Sequence, residues 1–127
     1  MSLRCVIVDD SARVLRAASE LLQGQGVAVV GVATTGDEAL LLVAELRPDV
    51  TLVDIDLGHE SGFDLARRLV EAPGPAASPS ILISTHDEAD FGNLIETSAA
   101  IGFLPKSGLS STAIRRLLAA AHEETGD

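Results

Sequence analysis

Val50-Thr51-Leu52-Val53-Asp54-Ile55-Asp56 decides the fold of this 127-residue chain. The run is apolar and rich in β-branched residues, with no strict polar alternation. It is bounded by Arg47-Pro48-Asp49 before it and Leu57-Gly58 after it. Such a run suits a strand covered on both faces, as in a parallel sheet. Asp54 then stands at the carboxyl end of a buried strand, where open α/β sheets place their binding crevices. A carboxylate ending an apolar strand needs a use or a partner. Asp9-Asp10 closes the earlier run Leu3-Arg4-Cys5-Val6-Ile7-Val8 in the same way. Three acids gathered at one sheet edge repel each other unless a hard cation sits among them.

Outward from that stretch, strand and helix patterns alternate, the signature of a βα-repeating parallel sheet. Ser11 is the expected N-cap of a first helix with Val14, Leu15, Ala18, Leu21 and Leu22 on its apolar stripe, stopped by Gly24-Gln25-Gly26. Val27 to Ala33 reads as a second buried strand, and a helix from about Glu38 to Leu46 follows, with Ala39, Leu40, Val43 and Leu46 inward. A third helix spans Gly62 to about Glu71, and 72–79 reads as a Pro-rich surface loop. Ser80 to Ser84 is a fourth strand. A weaker fourth helix is expected from roughly Asp87 to Ala99, interrupted by Gly92 and poor in stripe residues. Ile101 to Pro105 is a short fifth strand, and the fifth helix begins near Ser110 or Ser111. These units predict a doubly wound, five-stranded parallel sheet flanked by five helices. Strand order 2-1-3-4-5 would bring Asp9, Asp10 and Asp54 together, with Ser84 and Lys106 arriving from the fourth and fifth strands.

Composition agrees with one domain over 1–127, its polar tail 123–127 expected to fray. Hydrophobic residues make up 46% of the chain, which suits a globular core. Its only aromatics are three phenylalanines, Phe63, Phe91 and Phe103, so Val, Leu, Ile and Ala must supply most of that core. A formal charge of -10 argues against direct binding to nucleic acid or an anionic membrane. Cys5 is the sole cysteine and reads as a small buried hydrophobe. The N-terminal residues do not resemble a signal peptide, and no apolar run approaches membrane-spanning length, so the cytoplasm is the expected compartment.

The set Asp9-Asp10, Asp54, Ser84, Phe103 and Lys106, in that order and on those strand ends, resembles the receiver domain of two-component response regulators. The likeness covers essentially the whole chain, and its fold is flavodoxin-like. Lys106 is the only lysine; every other basic residue is arginine. A solvated surface lysine is the ordinary alternative, and the position beside the acids weighs against it.

The resemblance implies a phosphorylation-controlled switch rather than an enzyme with its own substrate. Asp54 would be the phosphoacceptor, taking a phosphoryl group from the phosphohistidine of a sensor histidine kinase or phosphotransfer protein. Mg²⁺ would be held by Asp9, Asp10, Asp54 and the Asp56 backbone carbonyl. Lys106 would place a compact positive charge on the phosphoryl oxygens, and Ser84 would donate a hydrogen bond to them. Ser84 and Phe103 would relay the change to the face formed by the fourth helix, fifth strand and fifth helix, where an unidentified target binds. A homodimer formed on phosphorylation is open. Asp56 and His86, two residues beyond Asp54 and Ser84, match positions that tune dephosphorylation. Ser107 follows Lys106 where the family often has proline, and Thr85 stands where it carries a smaller residue. The isomer of the Lys106–Ser107 bond stays open.

Two other readings compete. Asp54-Ile55-Asp56-Leu57 resembles part of the motif of haloacid-dehalogenase-type phosphatases, which also form aspartyl-phosphates. That motif belongs on a first strand and needs further acids late in the chain. A pseudo-receiver, never phosphorylated, usually lacks an acid or the lysine. His59 and His122 lack metal-ligand spacing, and Arg67-Arg68 and Arg115-Arg116 read as solvated helix faces.

Overall fold

A computed structural model describes residues 2–72 and 78–125. The strands are β1 (Arg4–Val8), β2 (Ala28–Ala33), β3 (Val50–Asp54), β4 (Ser80–Ser84) and β5 (Gly102–Pro105). They form one sheet in the order β2-β1-β3-β4-β5, and every pairing is parallel. The α-helices among the described residues are α1 (Ala12–Gly24), α2 (Gly36–Leu46), α3 (Gly62–Glu71) and α4 (Ser111–Thr125). Part of the expected loop at 72–79 and the last two residues of the expected tail lie outside the described residues.

Alternation along each inner strand divides the core between two faces. Val6 and Val8 of β1 face a cluster with Val53, Ala39, Val43, Leu65 and Leu69, which α2 and α3 cover. Cys5 and Ile7 face the opposite cluster, with Leu52, Ile81, Leu15, Leu22 and Ile114, which α1 and α4 cover. Every residue of β3 and of β4 is buried, as two-sided covering requires. The helix starts follow local chemistry. The Ser11, Thr35 and Ser61 hydroxyls accept from the backbone N–H of Val14, Glu38 and Phe63.

Three expectations are corrected here. β2 is not fully buried: it is an edge strand, and Val32 is 43% exposed. Leu21 leaves the α1 stripe and is 45% exposed, since the helix buries only Leu15, Ala18 and Leu22. The fourth of five expected helices is absent. A 3₁₀ turn, Glu88–Phe91, replaces its start, and a chain of turns follows. Gly92 sits at φ 58°, ψ -127°, outside helical geometry. Beyond it, the Thr97 hydroxyl donates to the Asn93 and Leu94 carbonyls, and the Ser98 hydroxyl donates to Ile95. Side chains that bond the local backbone in this way compete with a helical ladder. The last expected helix is therefore α4.

Candidate functional site

The strand order brings the carboxyl ends of β1 and β3 side by side, and the acids arrive with them. Asp9 follows β1 and is wholly buried. Its N–H donates to the Ala33 carbonyl of β2 at 3.0 Å. Its Oδ1 accepts from the Ser11 N–H at 2.9 Å, which turns the chain into α1. Asp10, the next residue, is exposed. Asp54 ends β3 and is 6% exposed. One ligand oxygen from each of Asp9, Asp10 and Asp54 can be chosen so that all lie within 4.8 Å of one another.

Lys106 reaches this cluster from the 3₁₀ turn Lys106–Gly108, directly after β5. Its Nζ lies 2.7 Å from Asp9 Oδ2 and 3.1 Å from Asp54 Oδ2, so one ammonium spans two carboxylates. The Asp54 contact is a directed hydrogen bond, whereas buried Asp9 Oδ2 has an ion pair without hydrogen-bond geometry. No cis peptide occurs among the described residues, so the Lys106–Ser107 bond is trans.

These surroundings set the protonation states. Burial raises the Asp54 pKa, and the Asp9 charge adds to that. The Lys106 hydrogen bond and the Asp56 N–H, 3.2 Å from Oδ1, pull it down without overcoming burial. Burial lowers the Lys106 pKa, but its close contacts with the Asp9 and Asp54 carboxylates, and their charge, outweigh it, and the net direction is upward. Three carboxylates against one ammonium leave a negative excess in a mostly buried place. With oxygen donors and an under-satisfied Asp9 Oδ2, the cluster suits a hard divalent cation. No described hydrogen bond ends on the Asp56 carbonyl, which leaves that oxygen available to the same cation.

The other expected residues fall around this centre. Ser84 ends β4 beside Pro105, is 4% exposed, and its Oγ accepts from the His86 N–H at 3.0 Å. Asp56 is exposed, with its carboxylate held by the Gly58 N–H at 3.0 Å. His86 is exposed, its Nδ1 4.0 Å from Asp90 Oδ2. Thr85 is exposed and lines a groove of 340 Å³ with Lys106, Leu109 and Arg13, Ala17 and Leu21 of α1. Phe103 is buried on β5, at 8% exposure. Cys5 plays no part: burial pushes its thiol up to about 12.

Two features escape a reading of the sequence. Phe91 packs between Phe63 (6.2 Å between ring centroids) and Phe103 (5.9 Å), with the His86 ring at 6.3 Å. Its rarity as an aromatic was the available signal. Gly62 lets α3 start against the end of β3, since a Cβ there would lie 2.2 Å from the Asp54 carbonyl oxygen.

A family model described as the response regulator receiver domain matches residues 5–119. Among relatives, a protein of Syntrophus aciditrophicus named protein-glutamate methylesterase/protein-glutamine glutaminase 1 is 35% identical over 112 residues, 86% of this chain and 31% of the relative. A Pseudomonas aeruginosa protein of the same name is 33% identical over 109 residues, 84% of this chain and 29% of the relative. The chain therefore spans less than a third of either. Among solved structures, the receiver domain of the putative response regulator NarL from Mycobacterium tuberculosis aligns with TM-score 0.74 at 28% identity, covering 96% of this chain and 94% of that one. The response regulator domain of Thermotoga maritima CheB aligns with TM-score 0.72 at 26% identity, covering 98% and 93%.

Proposed function

Since this chain belongs to the response regulator receiver domain family, we propose that it is a phosphorylation-controlled switch with Asp54 as the phosphoacceptor. The observation that carries the reading is the single ammonium of Lys106 spanning Asp9 and Asp54 inside a three-carboxylate cluster. A phosphoryl group brought to that point meets a nucleophilic carboxylate and a fixed cation together.

In the proposed step, an Asp54 carboxylate oxygen attacks the phosphorus of a phosphohistidine on a sensor kinase or phosphotransfer protein. The P–O bond forms as the P–N bond breaks, and the electron pair leaves with the imidazole nitrogen, which takes up a proton. The Asp56 N–H holds Asp54 Oδ1 in place during this exchange. Lys106, held protonated by its two carboxylates, turns to the phosphoryl oxygens as charge gathers there. Asp9, Asp10, Asp54 and the Asp56 carbonyl would hold Mg²⁺, which when bound supplies positive charge for phosphate oxygens. Asp56 and His86, both exposed and two residues beyond Asp54 and Ser84, are assigned the tuning of phosphate loss.

The added charge is read through Ser84. Its hydroxyl hydrogen is free to turn toward a phosphoryl oxygen, while its oxygen accepts from His86. Movement there is passed to Phe103 and Phe91, and so to the 86–100 segment, β5 and α4 as the partner-binding face. Among the described residues no helix is long and apolar enough to cross a membrane. The assignment of the switch to the cytoplasm rests on the family reading. The esterase activity in the relatives' names is not proposed for this domain.

The test is incubation with a small phosphodonor and Mg²⁺, followed by intact mass and peptide mapping. A mass increase of one phosphoryl group on Asp54, absent from Asp54→Asn, is expected. An adduct mapped to another residue contradicts the reading. Sustained turnover of small phosphate esters would favour a phosphatase.

A further inference from the structure

We propose that Glu60 is a positioning residue that holds the β3–α3 loop against the acidic cluster, and so sets its affinity for a divalent cation. The proposal rests on the reading of Asp9, Asp10 and Asp54 as a cation site. It assigns the affinity of that site partly to α2, an element that contributes no ligand.

The loop at 56–61 is closed mainly by its own bonds. Leu57 N–H donates to the Glu60 carbonyl at 3.1 Å, and Gly62 N–H donates to the Ile55 carbonyl at 2.7 Å. Gly58 N–H donates to Asp56 Oδ1 at 3.0 Å. The Glu60 side chain is the described hydrogen-bonding group that ties this loop to something other than the strand and helix it joins. Both of its carboxylate oxygens accept from the Gly36 N–H at the start of α2, at 3.0 and 3.1 Å. A carboxylate at a helix N-terminus is favoured by the unpaired N–H groups and dipole there. An ion pair runs alongside, Arg68 of α3 to Asp37 of α2 at 3.2 Å.

Gly36 is matched to that carboxylate. Its backbone is not in the positive-φ region, so conformation does not demand glycine. The carboxylate contact uses the open space: a Cβ there would lie 2.5 Å from Glu60 Oε1 and would push the side chain aside. At the loop's other side, a Cβ on Gly58 would lie 3.3 Å from Asp10 Oδ2, and the Asp56 N–H is the one that holds Asp54 Oδ1. Glu60 thus fixes a loop whose other side bonds to Asp54 and runs close to Asp10. Partners that orient ligands in this way commonly change metal affinity when removed.

The test uses the full chain and Mg²⁺ alone, with calorimetric titration and thermal melts on Glu60→Ala, Glu60→Gln and Gly36→Ala. Glu60→Ala should weaken Mg²⁺ binding on the order of tenfold. Gly36→Ala, which displaces the carboxylate without removing it, should do the same. Glu60→Gln keeps an acceptor oxygen and should stay close to the parent. If Glu60 is only a helix cap, Glu60→Ala lowers Tm and leaves Mg²⁺ affinity unchanged, which overturns the proposal. A parent chain with no measurable Mg²⁺ affinity sinks the cation-site reading instead. Amide exchange then decides on Glu60: the Asp56 and Gly58 amides should exchange faster in Glu60→Ala, and unchanged rates overturn the proposal.

Discussion

The carboxyl ends of β1 and β3 and the segment at 86–100, which joins β4 to β5, are held in opposite ways. At the first, buried carboxylates are fixed from several elements at once: Asp9 by Ser11 and Lys106, and Asp54 by Asp56 and Lys106. At the second, short-range turns replace a helix, Leu94 is 53% exposed, and Phe91 and Ile95 are its main apolar anchors. On the proposed function, the difference separates two jobs. Chemistry needs groups that do not move, and electrostatic preorganisation supplies them. A readout needs an element that moves at small cost, and few buried contacts supply that. The Ser84–His86 bond and the Phe103–Phe91 contact are the physical links between them.

Breaking the rigid end should have the largest effect. Lys106→Ala leaves wholly buried Asp9 without its cation, and removing one member of a buried pair costs about 3 kcal/mol or more. Urea unfolding in Mg²⁺-free buffer should show that loss, with part of it restored by Mg²⁺. Phosphorylation from a small donor should slow on the order of 100-fold. Lys106→Arg should keep the charge yet remain slow, because a planar fork does not match a compact ammonium seated between two carboxylates. A normal rate in Lys106→Arg would show that charge alone suffices.

A smaller effect is expected at Asp54, with opposite sign. Burial raises its pKa in the folded chain above that in the unfolded one, so ionising it opposes folding. The penalty is absent below the ordinary carboxylate range and grows as pH rises through the folded pKa. Asp54→Asn should therefore be more stable than the parent at neutral pH, with the gap closing in acid. Thermal melts across pH check this. A less stable variant would mean that the Lys106 bond outweighs burial.

Much of the rigid end was legible in the sequence, because each of its parts is a charge placed where an apolar run stops. Asp54 after Val50-Thr51-Leu52-Val53, Asp9-Asp10 after Val6-Ile7-Val8 and a lone lysine after β5 can be read along the chain. Alternation of patterns predicts a parallel βα sheet, whereas the order 2-1-3-4-5 is taken from the doubly wound arrangement that would gather the acids. The proposed readout end was less legible. Gly92 breaks helical geometry and the Thr97 and Ser98 hydroxyls bond carbonyls three and four residues back, and a faint apolar stripe over 87–99 does not reveal that outcome. Edge exposure of Val32 and Leu21 depends on what packs beside them, not on periodicity. Glu60 on Gly36 joins residues 24 positions apart and leaves no local pattern.

The link between the two regions should show the smallest effect on stability. Ser84→Ala removes the acceptor for the His86 N–H and should cost about 1 kcal/mol. Adduct formation on Asp54 should proceed, since Ser84 is not the nucleophile. Intact mass with and without the donor checks the second point, and a blocked adduct would move Ser84 from the readout into the chemistry.

The division of labour is tested most directly by amide hydrogen exchange with and without beryllofluoride, a phosphoryl mimic, in the presence of Mg²⁺. Exchange should change chiefly across 84–109, reaching the turns around Phe91 and the strand carrying Phe103, and Ser84→Ala should suppress that change while the mimic still binds. Changes confined to Asp54 and the loop that follows it would contradict the account.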